Sequence, residues 1–79
     1  MILVDDLKRH RSGWWCHMVS DRSVEELHAF ASGMGLRREW FQGGRHPHYD
    51  LRPPGRRVAV RRGAEEVGSR ELVRRMARG

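Results

Sequence analysis

The chain has 79 residues, 38% of them hydrophobic, with three Trp and one Cys. That length holds one domain around a small core, and it excludes a two-domain enzyme with a deep cleft of its own. The formal charge of +6 falls entirely in residues 52–79, an arginine-rich third where nine Arg face Glu65, Glu66 and Glu71.

Such asymmetry suits contact with nucleic acid, a nucleotide or an acidic protein. Coding bias is the other reading, since 15 Arg stand against one Lys. The apolar content excludes simple disorder, and no run approaches the roughly 18 apolar residues of a membrane span. Cys16 alone offers no intrachain disulfide, and the first apolar run meets Asp5 too early for a signal peptide. The expected setting is therefore a reducing cytoplasm, away from membrane.

In chain order, Ile2-Leu3-Val4 reads as a buried strand stopped by Asp5-Asp6. Residues 7–13 read as a loop ending in Ser12-Gly13. Trp14 to Val19 predicts a second strand, with Trp14, Cys16 and Met18 on one face and Trp15, His17 and Val19 on the other. Both Trp14 and Trp15 are expected in the core of so small a domain. Ser23 predicts an N-cap with Glu26 completing a capping box. The helix carries Val24, Leu27, Phe30, Ala31 and Met34 on one arc and closes at Gly35. A third strand is predicted over Arg38 to Gln42, broken by Gly43-Gly44.

Pro53-Pro54 suits a helix start, running to Arg62 with Gly63 closing it, although Val58-Ala59-Val60 also reads as a strand. On the helical reading Arg57 and Arg61 align at i, i+4 on the exposed side. Ala64 to Val67 predicts a fourth strand. Ser69 predicts the cap of a last helix with Leu72, Val73 and Met76 as its apolar stripe.

The expected fold is one α/β domain, residues 1–79: a single-layer sheet of about four strands covered by three helices. The β-α-β-α-β-α order from the second strand onward makes those strands parallel. The nine-residue link from the first strand is short for a crossover, so that strand is expected to be antiparallel.

Polar residues gather after strands, where open α/β sheets bind ligands. If the second and third strands are neighbours, His17, Asp21, His48 and Asp50 converge. Asp5 and Asp6 join them only if the first strand is parallel to these, and an antiparallel first strand puts both at the far edge. This set predicts a small hydrolase of phosphate esters. Asp5, His17 and Asp50 hold a divalent cation (Mg²⁺, Mn²⁺ or Zn²⁺), with His17, His48 and Asp50 as the catalytic group and His48 as acid or base. Arg57 and Arg61 grip phosphate outside the centre. The competing reading makes His17 a satisfied core histidine and Asp50 a turn cap. The chain is then a non-catalytic basic module, or an assembly subunit that forms a homo-oligomer.

The segments Val4-Asp5-Asp6, His17 with Asp21, Glu25-Glu26-Leu27-His28-Ala29-Phe30-Ala31, Trp40-Phe41-Gln42, His46-Pro47-His48-Tyr49-Asp50-Leu51 and Gly63-Ala64 together carry a likeness. In this order they resemble domain-of-unknown-function family 4031, small proteins of bacteria and their phages. The resemblance covers about residues 2–75. It implies a compact α/β domain and assigns no activity.

Overall fold

The structure, a computed structural model, describes residues 1–78. Five strands, β1 (Ile2–Val4), β2 (Lys8–His10), β3 (Gly13–Ser20), β4 (Tyr49–Leu51) and β5 (Glu65–Glu66), form one mixed sheet. Three helices, α1 (Val24–Gly33), α2 (Pro53–Arg61) and α3 (Ser69–Arg78), cover it. The central strand is β3. It pairs antiparallel with β1, β2 and β4, and the only parallel pairing among the described residues joins β1 to β5.

The expected mostly parallel sheet is therefore corrected. β4 enters β3 at Met18 and leaves at Cys16, the reverse of a crossover strand. The reason lies in residues 34–48, which add a second traverse after α1 and bring the chain back to the far end of β3. The first strand is antiparallel to β3, as its short link requires. That link is itself ordered. Lys8–His10 pairs with Gly13–Trp15 around a tight turn, and Gly13 at φ 121° takes the left-handed backbone the turn needs. All three β2 residues are exposed, so their polar composition suits an edge strand rather than a loop.

The strand predicted over 38–42 is also corrected. Arg38–Trp40 form one 3₁₀ turn with no buried side chain, and Gln42 alone bridges to His48. The strand comes later, at Tyr49-Asp50-Leu51, whose outer residues are buried and whose centre is half-buried. α2 is a helix, and Gly63 at φ 108° closes it.

Alternation along the strands builds two cores. Ile2, Val4, Cys16 and Met18 face Leu27 and Ala31 of α1 and Ala59 of α2. Leu3 and Val19 face Leu72 of α3, with Val67 and Met76 packed beside them. Neither Trp14 nor Trp15 is in either core. Trp14 is 50% exposed, because the first residues of β3 pair with β2 beyond the helices. Ser23 caps α1 by accepting the Glu26 N–H at 3.1 Å, while the Glu26 carboxylate turns to the Ser20 hydroxyl and the Met1 ammonium.

Because a single buried leucine anchors α3 to its face, Leu72→Ala is expected to cost about 2–5 kcal/mol in chemical denaturation. Trp14→Ala should change stability by about 0.5 kcal/mol or less.

Candidate functional site

The site begins at a register change. β1 and β3 pair with residue numbers that sum to 22, β2 and β3 with numbers that sum to 23, so one residue is absorbed between β1 and β2. Asp5 sits at that slip. Its N–H still donates to the His17 carbonyl at 3.2 Å, but its own carbonyl leaves the ladder and accepts Arg56 Nε at 2.8 Å. The Asp5 side chain fills the vacated place. Oδ1 accepts the His17 backbone N–H at 2.7 Å, and Oδ2 accepts His17 Nδ1–H at 2.9 Å and the Ser69 hydroxyl at 3.0 Å. A carboxylate only 1% exposed is tolerable because three donors replace its water. Since a carboxylate only accepts, Nδ1 of His17 carries a proton, which in the neutral ring leaves Nε2 unprotonated.

Asp50 is the cross-strand partner of His17, so both side chains leave the same face of the sheet, the one covered by α3. His48 stands just before β4. The bridge to Gln42, with N–H···O bonds of 2.9 and 3.0 Å in the two directions, fixes its backbone. His48 Nδ1 donates to the His46 carbonyl at 2.7 Å, which again leaves Nε2 unprotonated in the neutral ring. Gln42 Nε2 donates to Asp50 Oδ2 and turns Oδ1 inward.

The result is a convergent donor set. His48 Nε2 faces Asp50 Oδ1 at 3.4 Å, and one donor atom from each of His17, His48 and Asp50 lies within 4.8 Å of the others. Tetrahedral coordination at metal–ligand distances of 2.0–2.2 Å separates ligands by about 3.4 Å, so one edge already has that length. The two imidazoles meet edge to face, with centroids 5.2 Å apart. They form the shared wall of two cavities. One, of about 440 Å³, is bordered by His10, Ser12, Trp15 and Gln42, and the other, of about 290 Å³, by Lys8, Ser69 and the apolar side of α3. The His17 side chain is 47% exposed, so solvent and ligands reach the donors.

The profile of a family described as "Protein of unknown function (DUF4031)" matches residues 2–79. The chain belongs to the DUF4031 family. Comparison with curated proteins and with solved structures returned no match. Among the described residues, no helix is long and apolar enough to cross a membrane.

In this DUF4031 chain, three of the residues read from sequence as site candidates (His17, His48 and Asp50) do meet. The antiparallel first strand does not carry Asp5 to the far edge, because Val4 pairs with Met18 and so brings Asp5 next to His17. Asp5 stands behind His17 rather than beside the donor atoms, and His48 joins the set in its place. Asp21 does not join. It pairs with Arg75 at 2.8 Å and with the Met1 ammonium at 3.1 Å, near the start of α1. Arg57 and Arg61 are exposed on α2, which packs on the opposite face of the sheet, and they line neither cavity. His28 Nδ1 meets the buried Tyr49 hydroxyl at 2.8 Å, on the α1 side. Burial raises the Tyr49 hydroxyl and lowers His28, so at neutral pH the hydroxyl donates to a neutral ring.

Gln42 and Ser69 were not legible as site residues. Both act through a neighbouring carboxylate, and neither spacing nor composition marks such a role. Cys16 borders the larger cavity yet is 2% exposed, and burial followed by the Asp5 charge pushes its thiol up to about 12.

Two outcomes follow from this geometry. Cys16 should stay unreactive to a thiol reagent at pH 8 in the folded protein and react fully in denaturant, as a colorimetric assay reads. Asp5→Ala removes the acceptor of three donors, one of them a backbone N–H inside the sheet, and is expected to cost about 3 kcal/mol or more in urea unfolding.

Proposed function

We propose that this protein is a divalent-metal-dependent hydrolase of phosphate esters, its cation held by His17 Nε2, His48 Nε2 and Asp50 Oδ1. One observation carries the reading: an imidazole nitrogen and a carboxylate oxygen face each other at 3.4 Å, with Nδ1 of both imidazoles already committed as donors. Two lone pairs so placed repel unless a cation or a proton stands between them. The third donor, His17 Nε2, favours the cation.

The supporting shell is the kind that metal-binding imidazoles have. One Nδ1–H is held by a carboxylate and the other by a backbone carbonyl. Two imidazoles and one carboxylate suit Zn²⁺ or Mn²⁺ better than Mg²⁺, which prefers oxygen ligands. Three protein donors leave coordination positions for water and substrate, as catalytic rather than structural zinc sites do. A cation held by these three residues would supply Lewis-acid chemistry, activating a water and drawing charge from a phosphoryl oxygen.

Phosphate fits the surrounding charge. Lys8 borders the smaller cavity, and Arg52 lies over the Trp15 ring at 4.3 Å beside the larger one. Within this reading Asp5 fixes the orientation of His17, and Gln42 selects which Asp50 oxygen faces inward.

Titration calorimetry of the EDTA-stripped protein should show one equivalent of Zn²⁺ or Mn²⁺. His48→Ala and Asp50→Asn are expected to weaken binding at least tenfold, and Asp5→Asn by about 10- to 100-fold. Hydrolysis of bis(p-nitrophenyl) phosphate should vanish with EDTA and return with metal. Hydrolysis that survives EDTA, or metal binding unchanged in both His48→Ala and Asp50→Asn, overturns the reading.

A further inference from the structure

A third cavity, of about 570 Å³, adjoins the donor set. Trp15, Gln42 and Asp50 line both it and the cavity that contains His17 and His48, so the two spaces meet across a wall one side chain thick. Its remaining walls include Trp40, Leu36, Leu51 and Arg52. The volume lies within the range of small-molecule sites, and two indoles and two leucines form apolar walls beside the polar side chains of Glu39, Gln42, Asp50 and Arg52.

Three details give this cavity a chemical preference. Trp40 is 52% exposed on a 3₁₀ turn that buries none of its own side chains, so its indole contributes little to the fold. Trp15 is held from both ends: its Nε1–H donates to Ser12 Oγ at 2.9 Å, and the Arg52 guanidinium covers its ring. Gly55 lies in the first turn of α2 and borders the cavity. A Cβ there would meet only the Leu51 side chain, at 3.5 Å, which is ordinary contact. Packing does not demand the glycine, and its lack of a side chain keeps the space open.

Resting on the proposed phosphoesterase reading, we propose that this cavity binds a nucleobase, making the substrate a nucleoside phosphate, free or at the end of a single strand. The base lies against Trp15 and Trp40, and its phosphate reaches past Asp50 toward the donor set. Indole walls favour a flat π-system over a sugar or an alkyl chain. Gln42 and Glu39 offer hydrogen-bonding groups to a base edge, and the Arg52 charge complements the phosphate.

The test separates base recognition from metal chemistry by working without metal. EDTA-stripped, ¹⁵N-labelled protein is titrated with AMP, UMP, ribose 5-phosphate and inorganic phosphate. The mononucleotides should shift the indole resonances of Trp15 and Trp40 and leave Trp14, which lies outside the cavity, unmoved. They should also bind roughly 5- to 150-fold more tightly than ribose 5-phosphate. Trp40→Ala, and Gly55→Leu by filling the space, should remove that preference while Zn²⁺ binding stays at the wild-type value. His48→Ala should keep the preference.

A 5′-phosphorylated single-stranded octanucleotide assigns the source: binding at least tenfold tighter than AMP points to strand ends, and equal binding points to free nucleotides. Equal affinity for AMP and ribose 5-phosphate, or a preference unchanged in both Trp40→Ala and Gly55→Leu, overturns the inference and leaves the metal reading standing. Base preference without any metal binding overturns the hydrolase and leaves a nucleotide-binding cavity.

Discussion

A buried carboxylate at the point where one strand slips past another governs the rest of this molecule. Asp5 replaces a missing carbonyl in the β1–β3 ladder, orients the His17 ring and receives the first side chain of α3. Its displaced carbonyl, meanwhile, takes the Arg56 side chain from α2, which covers the opposite face. Two helical layers and the central strand thus meet at one residue. A low-dielectric site strengthens each of these bonds and makes any unmet one expensive, so the arrangement is satisfied as a unit or not at all.

Much of the architecture was legible because it rests on local rules. Ser23, the helical spacing of Leu27 and Ala31, and the two prolines that open α2 each specify an element without help from distant residues. The strand over 38–42 failed for a different reason. Trp40 and Phe41 supply apolar bulk, but Trp40 faces solvent, and bulk without a buried alternate position does not make a strand. Tyr49-Asp50-Leu51 had that alternation, hidden among three polar residues in the preceding loop. The direction of β1 followed from its short link, but that of β4 was beyond local rules. It depended on residues 34–48 making an extra traverse.

The donor set was half legible for the same reason. His17, His48 and Asp50 were conspicuous as chemistry-bearing residues near strand ends, and cross-strand pairing of His17 with Asp50 turned proximity into a shared face. What the side chains lean on was not visible, because Asp5, Gln42 and Ser69 gain their roles only after the chain folds. The arginine excess also divides once folded. Arg56 and Arg75 are partly buried in pairs with Glu66, Asp21 and Glu65, and Arg52 lies over an indole. Arg57 and Arg61 point outward on the far layer. A basic composition here is several separate jobs rather than one phosphate-gripping face.

The two imidazoles are propped in unlike ways, and this bears on how the sequence can drift. His17 leans on a side chain, so position 5 must remain a short acceptor at a fixed depth. His48 leans on the main-chain oxygen of residue 46, which every amino acid possesses. The side chain at position 46 can therefore change without moving its prop, whereas few side chains at position 5 could keep theirs.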